Sequence, residues 1–275
     1  VGIADPLLPR ENGFWPDARQ VLEATAPEIE SVCNPTSTHR AMTIEALGHD
    51  CHVLVEKPIA GTAAVAQTMA AVAEMKGLIL TVGHIERFNP AVIALLRHLP
   101  SLGRIFEIHA ARLGPFPARI SDVGVVVDLA PHDIDLMRLI TGTEPVTVYA
   151  VTQNRMAVGF EDLFVGVLRF SDGALGVLNI NWLTPIKQRR LEVLGENGMM
   201  IVDYISQDLL AIAPNGAINE IEVSKREPLA AEIIDFIAAV DMGGPPPVPA
   251  ADATKALVLA QTMVEAAQYG GLRAL

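Results

Sequence analysis

Cysteine is nearly absent from this sequence. Cys33 and Cys51 are the only two in 275 residues, and neither belongs to a CxxC pair or a dense set. A disulfide-stapled secreted scaffold is therefore excluded, and free thiols in a reducing cytoplasm are expected. The 7 histidines form no HxH or HExxH pattern, so no metal site is predicted. A zinc or iron site assembled from scattered ligands is the competing chemistry.

Basic residues are also scarce. The 20 Lys and Arg stand against 32 Asp and Glu, for a formal charge of -12 and a pI near 5.0. Such a chain repels nucleic acid and anionic membrane surfaces, and neither is expected as a partner. No apolar run approaches the length of a membrane span, and no basic-then-apolar leader opens the chain. A cytoplasmic protein is therefore expected.

The sequence has 51% hydrophobic and 19% charged residues, which is typical of a globular protein. Its 275 residues are enough for two domains. Strands and helices alternate up to about residue 102, which predicts an α/β fold with a parallel, doubly wound sheet. Six strand candidates follow, with turn signals SDG at 171–173 and ENG at 196–198, and indicate a mostly antiparallel sheet. Two helices close the chain. The predicted domains are 1–102 and 103–275.

The stretch VVVDLAPHDIDLMRLITG, residues 125–142, places a carboxylate beside an imidazole. Its three valines predict a short buried strand, while Pro131 is favoured at a helix start and Gly142 at a helix end. Asp128 would then precede the helix, and His132 would lie in its first turn, where the positive end of the helix dipole disfavours imidazolium. A neutral imidazole can accept a proton. The alternative is that both residues only cap and solvate a helix start.

Several polar residues follow predicted strands, at the carboxyl ends where doubly wound sheets bind ligands. Asp5 suits the two hydroxyls of an adenosine ribose, which favours NAD over NADP, although an acid before proline is equally typical of a turn. Lys57 would polarise a substrate hydroxyl, while His132 takes its proton and the carbon gives hydride to nicotinamide. The alternative for Lys57 is a plain surface ion pair with Glu56.

Five segments together resemble the Gfo/Idh/MocA family of oxidoreductases over nearly the whole chain. They are ADP at 4–6, NPTSTH at 34–39, VLVEKPIA at 53–60, VGHIERFNPAV at 82–92 and DVGVVVDLAPHDIDLMRLITG at 122–142. The resemblance implies an N-terminal Rossmann domain and a C-terminal open sheet. It implies hydride transfer between NAD(P) and a hydroxyl of a sugar, cyclitol or nucleotide sugar. It also implies a homodimer or homotetramer formed through the C-terminal sheet.

The resemblance further implies a role for each matching residue. Lys57 and His132 match the catalytic pair, and Asp128 matches the acid that orients the substrate. The residues that match the cofactor site are Asp5, Asn34, Pro35, Thr36, His39, Glu56, Lys57 and Pro58. The segments GHIERFNP and RLGPFPARISDVG are most similar to members acting on UDP-N-acetylglucosamine-type sugars, including 3-dehydrogenases. Further substrate contacts, suited to a diphosphate, are then expected from Arg87, Asn89, Arg112 and Arg119.

The glycine-rich turn of the family does not occur in this sequence. The resemblance implies an opening strand, a GxGxxG turn and a helix, and no GxGxxG is found in the 275 residues. Without that turn, the pyrophosphate lacks the backbone donors of a helix N-terminus. The leading hypothesis is an NAD-dependent dehydrogenase of a sugar or nucleotide sugar. The alternatives are a truncated, non-catalytic relative acting as an oligomeric binding or scaffold protein, and a relative that keeps NAD bound for net hydrolysis or epimerisation.

Overall fold

A computed structural model describes residues 2–5, 13–117, 123–156, 159–270 and 272–275. The chain divides into two compact units, of which the first combines residues 1–84 with 232–257 and the second combines 85–231 with 258–275. This division differs from the predicted domains 1–102 and 103–275. The segment 232–257 returns to the first unit because Phe236 and Ala239 pack against Leu54 and Ile79 in one apolar cluster. Packing between distant parts of the chain leaves no local signal in the sequence.

The first unit is built from short parallel strands and the helices that follow them. Its elements are β1 Ile3–Ala4, β2 Phe14–Trp15, α1 Ala18–Thr25, β3 Ile29–Val32, α2 Thr36–Gly48, β4 His52–Val55, α3 Ala63–Lys76 and β5 Leu80–Val82. The strands β3, β4 and β5 form one parallel sheet in that order, and β1 pairs with β2 in a separate parallel pair. The predicted Rossmann-type sheet is confirmed, in two pieces among the described residues.

The helices of this unit begin and end as their terminal residues favour. Asp17 caps α1 by accepting the backbone N–H of Gln20, and the hydroxyl of Thr62 does the same for α3. Gly77 ends α3 in the left-handed conformation that glycine adopts without steric cost. These caps set where each helix starts after its strand, and so they fix the loops at the carboxyl ends of the strands.

The second unit is built around a nine-stranded sheet. Its elements up to the last hairpin are a 3-10 turn Ile85–Phe88, α4 Pro90–His98, β6 Ile105–Leu113, α5 Val125–Thr141, β7 Pro145–Gln153, β8 Leu163–Phe170, β9 Leu175–Asn181, β10 Gln188–Gly195, β11 Gly198–Asp203, β12 Asp208–Ile212 and β13 Ile218–Ile221. Along the chain there follow α6 Pro228–Met242, α7 Ala250–Gln268 and the strand β14 Leu272–Ala274, and the part of the two helices within residues 232–257 belongs to the first unit.

The sheet runs in the order β13-β12-β11-β10-β6-β9-β8-β7-β14. Every neighbouring pair is antiparallel except β6 and β9, so the predicted mostly antiparallel sheet is confirmed. The strands β12, β13 and β14 were not anticipated. Side chains alternate along β6, where Ile108, Ala110 and Arg112 are buried and the residues between them are less so. The helix α5 packs on this sheet against β6, β8 and β9.

Candidate functional site

The polar residues predicted for a cofactor site lie at the carboxyl ends of the parallel strands of the first unit. Asp5 follows β1 and is half-buried, and its backbone N–H donates to the carbonyl of Trp15 in β2 at 3.1 Å. Asn34 and Pro35 follow β3 and are exposed. The loop of Glu56, Lys57 and Pro58 follows β4 and is closed by a cis peptide bond between Lys57 and Pro58. Because neighbouring parallel strands end at one edge, Asn34, Pro35 and the loop after β4 share the edge of the β3-β4-β5 sheet, whereas Asp5 ends the separate β1-β2 pair.

His39 connects two of these loops. It lies in the first turns of α2 and is 1% exposed. Its Nδ1 is 3.0 Å from the carbonyl oxygen of Pro58, and its Nε2 is 2.8 Å from the carbonyl oxygen of Asn34. The imidazole therefore braces the loop after β4 against the loop after β3. The geometry gives His39 a bracing role within the predicted cofactor site.

The predicted strand at 125–127 is wrong, and so is the predicted helix start near Pro131. The helix α5 spans Val125–Thr141 without a break, and Pro131 lies inside it. Val125 and Val126 are buried by helical packing instead, and the proline only removes one N–H from the hydrogen-bond ladder of the helix. The N-terminus is held by Glu161, whose carbonyl and Oε1 accept the backbone N–H groups of Val125 and Val126 at 2.9 and 3.1 Å. Gly142 ends the helix in the left-handed conformation, as predicted.

Because α5 starts at Val125, His132 lies beyond the first helical turn. Asp128 is now in the first turn, and His132 follows it by one turn on the same face, since residues four apart on a helix are neighbours. His132 is 7% exposed and Asp128 is half-buried. The effect of the helix dipole is confined to the first turn, so it does not account for a neutral imidazole at His132. What the helix supplies is the pairing of a carboxylate and an imidazole on one rigid face.

A network of charges is buried beneath this part of the second unit. Arg112 of β6 is 3% exposed; its Nε donates to Asp133 at 2.6 Å and its Nη2 to Glu86 at 2.9 Å. The hydroxyl of Tyr204 donates to the other oxygen of Asp133 at 3.1 Å, and the guanidinium lies 4.9 Å from the centre of the Tyr204 ring. Burial opposes the charge of Arg112, but Asp133 and Glu86 outweigh it and raise the pKa of the guanidinium above its usual value.

The same network raises the pKa of the Tyr204 phenol. The predicted residues Arg87 and Asn89 form hydrogen bonds in the same part of the unit. Burial, reinforced by the charge of Asp133, raises the pKa of Tyr204 well above its usual value, so the hydroxyl is retained as a donor. Arg87 forms a two-pronged ion pair with Asp135, at 2.6 Å for each hydrogen bond. Asn89 caps α4 at Ala91 and donates to the carbonyl of Tyr204 at 3.0 Å.

Three of the predicted substrate residues already have hydrogen-bond partners within the protein. The structure places Arg87, Asn89 and Arg112 in hydrogen bonds and ion pairs inside the second unit, where their partners offset the positive charges. Their role as contacts to an anionic substrate stays a prediction, and the geometry assigns them first to holding α4, α5 and β6 together. Arg119 lies outside the described residues.

Arg189, which sequence reasoning missed, is a further cation near Asp128. It lies on β10 directly opposite Arg112 of β6 and is half-buried. Burial and then repulsion by Arg112 lower the pKa of its guanidinium, and the charges of Asp133, Glu86 and, least, Asp128 act in the opposite direction. Its Nη1 donates to the carbonyl of Leu113 at 2.7 Å. Two arginines paired across strands repel each other, and no local sequence pattern reports such a pairing.

A buried acid, Glu232 of α6, was also missed. It belongs to the first unit, is 2% exposed and has its pKa raised to about 8 by burial and by the negative charge of Glu56. It is remote in sequence from every motif.

Among the described residues, no group of three or more His, Cys, Asp and Glu could hold a metal ion. In the part of the chain the structure covers, no helix is both long and apolar enough to cross a membrane.

Comparisons with known proteins agree with both units. Residues 9–84 match the oxidoreductase family with an NAD-binding Rossmann fold, and residues 100–201 match the GFO/IDH/MocA C-terminal domain. The UDP-N-acetylglucosamine 3-dehydrogenase of Acidithiobacillus ferrooxidans is 30% identical over 230 residues, which cover 80% of this chain and 72% of the relative. The chain belongs to the Gfo/Idh/MocA family.

Further similarities within the Gfo/Idh/MocA family support the same assignment. The myo-inositol 2-dehydrogenase of Thermotoga maritima is 27% identical over 264 residues, covering 89% of this chain and 79% of that protein. A solved structure of the Acidithiobacillus ferrooxidans UDP-N-acetylglucosamine 3-dehydrogenase superposes with a TM-score of 0.86 at 28% identity, covering 93% of this chain and 83% of that one. The fold class, the family and the oxidoreductase class expected from the sequence are confirmed.

The chain is a Gfo/Idh/MocA oxidoreductase with an NAD-binding domain, and residues after its parallel strands fit parts of that cofactor. The half-buried carboxylate of Asp5 ends β1, where it suits ribose hydroxyls, and the loop after β4 is held in one shape by His39. The N-terminus of α2 has no side-chain cap from Pro35 and lies at the same edge. These residues fit the ribose and nicotinamide portions of NAD. No GxGxxG turn for the pyrophosphate is present in the sequence.

Proposed function

We propose that this chain is an NAD-dependent dehydrogenase that oxidises a hydroxyl of a sugar or nucleotide sugar. The observation that carries the proposal is the pairing of Asp128 and His132 one turn apart on α5, in a chain whose other unit matches an NAD-binding domain and presents Lys57 after β4. The relatives named above act on hydroxyls of a UDP-sugar and of a cyclitol, as their names state. An activity similar to a UDP-N-acetylglucosamine 3-dehydrogenase is the specific form proposed.

In this proposal each side chain has one task. The ammonium of Lys57 donates to the substrate oxygen and stabilises negative charge as the O–H bond weakens. The imidazole of His132 accepts that proton, and the carboxylate of Asp128 accepts a hydrogen bond that orients the substrate. NAD, when bound, supplies the hydride acceptor. Loss of the hydroxyl proton to His132, together with loss of a hydride to NAD held beside the Glu56–Pro58 loop, would leave a ketone.

The cofactor is proposed to contact the residues at the carboxyl ends of the parallel strands. Asp5 would accept hydrogen bonds from the adenosine ribose and repel a 2′-phosphate, which selects NAD over NADP. Asn34, Pro35 and Thr36 would line the cofactor, and Glu56, Lys57 and Pro58 would shape the nicotinamide pocket. His39 would act by bracing the Pro58 loop. For a diphosphate substrate, Arg189 joins Arg119 as a proposed cation, because its position opposite Arg112 adds positive charge near Asp128.

A homodimer or homotetramer is proposed through the outer face of the nine-stranded sheet. On β7 and β8 this face exposes Tyr149, Val151 and Val165, which are 46%, 45% and 42% exposed. Val151 lies directly opposite Val165, and Tyr149 lies opposite Val167, so the apolar side chains are contiguous across the strands. A contiguous apolar face of this kind is typical of an interface between protein chains.

The proposal is tested first by adding NADH to the purified chain and following its fluorescence, and then by assaying NAD reduction with UDP-N-acetylglucosamine and with myo-inositol. His132→Ala should lower kcat by a factor of about 10² to 10⁴ without weakening NADH binding, because general-base catalysis contributes that much. His98→Ala is the matched control, since His98 is exposed on α4. A folded chain that binds no NADH would favour the non-catalytic scaffold alternative.

A further inference from the structure

The carboxyl end of β6 lies beside two cations at the start of β10. A Cβ at Gly114, which directly follows β6, would lie 3.9 Å from Nη1 of Arg189, 3.9 Å from Cα of Lys187 and 4.0 Å from Cγ of Lys187. These are ordinary van der Waals distances. Gly114, Lys187 and Arg189 are therefore contiguous within the second unit, and we call them the cationic cluster.

Arg189 lies on the face of the sheet that α5 covers. It pairs directly with Arg112 of β6, and residues directly opposite on antiparallel strands extend their side chains to the same face. Arg112 donates to Asp133 of α5 at 2.6 Å, and Asp133 directly follows the proposed general base His132. The guanidinium of Arg189 is thus on the same side of the sheet as the helix that carries His132.

The guanidinium of Arg189 keeps one edge for an outside partner. Its Nη1 donates to the backbone carbonyl oxygens of Leu113 at 2.7 Å and Gln188 at 2.9 Å, which uses both N–H groups of that nitrogen. Nε and Nη2 have no acceptor among the residues that the structure describes. With the same two nitrogens, Arg87 holds both oxygens of Asp135. This edge suits two oxygens of one phosphate or carboxylate.

No acidic side chain in the described part of the chain forms an ion pair with either cation of the cluster. Asp133 and Glu86 are already engaged by Arg112. Like charges directly opposite on neighbouring strands repel, so Arg112 opposes the charge of Arg189. An anion bound to the cluster would relieve that repulsion. In a chain with a formal charge of -12, an anionic ligand also needs such local cations.

We propose that the cationic cluster binds the diphosphate of a nucleotide sugar and so selects that substrate class over a neutral cyclitol. The Nε–Nη2 edge of Arg189 donates to two oxygens of one phosphate, and the ammonium of Lys187 adds a second positive charge. Gly114 leaves room for the phosphate oxygens, because it has no side chain beside the two cations. The inference rests on the proposed function, in which the sugar of the same substrate lies at His132.

The first experiment measures binding and needs no turnover. Isothermal titration calorimetry follows the binding of uridine diphosphate and of UDP-N-acetylglucosamine to the purified chain, with and without NADH. Arg189→Gln should weaken both by about 10- to 100-fold, as expected for the loss of charge-assisted hydrogen bonds. Arg190→Gln is the matched control and should leave both affinities unchanged. Arg190 is the next residue of β10, so it faces the other side of the sheet, and it pairs with Glu192 at 2.7 Å.

Two substitutions at Gly114 separate charge from shape. The φ of Gly114 lies outside the left-handed region, and a Cβ there meets nothing closer than 3.9 Å, so both variants should fold. Gly114→Asp places a carboxylate beside Arg189 and Lys187, where it competes with phosphate. Gly114→Asn has the same shape without the charge. The aspartate variant should bind uridine diphosphate about tenfold or more weakly than the asparagine variant.

The second experiment compares an anionic substrate with neutral ones. For UDP-N-acetylglucosamine, Arg189→Gln should raise KM by about 10- to 100-fold and leave kcat unchanged, because the diphosphate does not react and is held alike in the ground state and the transition state. For myo-inositol and N-acetylglucosamine, kcat/KM should be unchanged. A merely structural role for Arg189 would lower kcat/KM for all three substrates.

These experiments separate failure of this inference from failure of the proposed function. The inference is overturned if the wild type does not bind uridine diphosphate, if Arg189→Gln binds it as tightly as the wild type, or if the two Gly114 variants bind it alike. If Arg189→Gln fails to fold, the Gly114 pair carries the test. A chain whose binding of uridine diphosphate depends on Arg189, but which reduces NAD with none of these substrates, would instead overturn the proposed function.

Discussion

Replacing Asp133 by asparagine should lower the free energy of unfolding of the second unit more than replacing an exposed charged residue does. Asp133 is 0% exposed and accepts hydrogen bonds from Arg112 and Tyr204 at 2.6 and 3.1 Å. Asparagine keeps the shape but removes the charge, so Arg112 is left buried with Glu86 as its one acidic partner. Breaking a buried ion pair by removing one partner costs about 3–5 kcal/mol.

The measurement is urea unfolding followed by tryptophan fluorescence. The sequence has 2 tryptophans, Trp15 in the first unit and the buried Trp182 in the second. A Trp15→Phe background therefore makes the signal report the second unit alone. In that background Asp133→Asn should lower the free energy of unfolding by about 3 kcal/mol or more, and 0.5 M NaCl should change that loss little, because buried pairs are weakly screened.

Two further variants isolate the pair from its surroundings. Asp208→Asn is the matched control, since Asp208 and Lys225 form an exposed ion pair with side chains 38% and 54% accessible. It should lower the free energy of unfolding far less than Asp133→Asn does, because water screens an exposed ion pair. The double variant Arg112→Met, Asp133→Leu should recover part of the loss, because it removes both members of the most deeply buried pair. Glu86, whose side chain is 13% exposed, keeps Asn89 as a donor. A loss below about 1 kcal/mol in Asp133→Asn would refute the reasoning that this network holds β6 to α5.

Three other outcomes follow from the structure. Glu232→Gln should remove a pH dependence of stability, which denaturant unfolding measures. The carboxyl group has a pKa of 4.5 in the unfolded chain and of about 8 in the folded one. The wild type should therefore lose on the order of 4 kcal/mol relative to the variant as the pH rises from 4.5 to 8. Gly198→Ala should cost at least about 2 kcal/mol by the same assay, because Gly198 has a φ of +132° and a Cβ would lie 2.4 Å from the carbonyl oxygen of Ile212; an unchanged midpoint would contradict this. Val165→Lys should lower the oligomeric state in sedimentation, since it places a charge in the outer apolar face of the sheet; an unaltered assembly would exclude that face as the interface.

Local patterns in the sequence predicted much of the fold. Strand and helix alternation predicted the parallel sheet, and turn signals predicted the hairpins that follow residue 103. The prediction failed at residues 125–131, where three valines and a proline favour a strand and a helix start, whereas α5 runs through both. Packing against the sheet outweighs the weak local propensity of β-branched residues, and it shifts His132 out of the first helical turn.

The candidate site was predicted in part. Asp128 and His132 lie together on α5, and Asp5, Asn34 and the Glu56–Pro58 loop lie at the ends of parallel strands, as their sequence positions indicate. His39 is turned inward as a brace, and Arg112 is buried between two acids. A sequence shows that an arginine is present, but it does not show whether acids from other elements offset its charge.

The amino-acid sequence by itself determined the family, most of the order of strands and helices, and the chemical groups available for hydride transfer, because each of these depends on residues close together in the chain. The tertiary structure alone decided which charges are offset and which are not. It buried Arg112 between Asp133 and Glu86, set Arg189 opposite Arg112, and buried the carboxyl group of Glu232 on α6. The cost of a charge depends on its surroundings, and folding alone sets those surroundings.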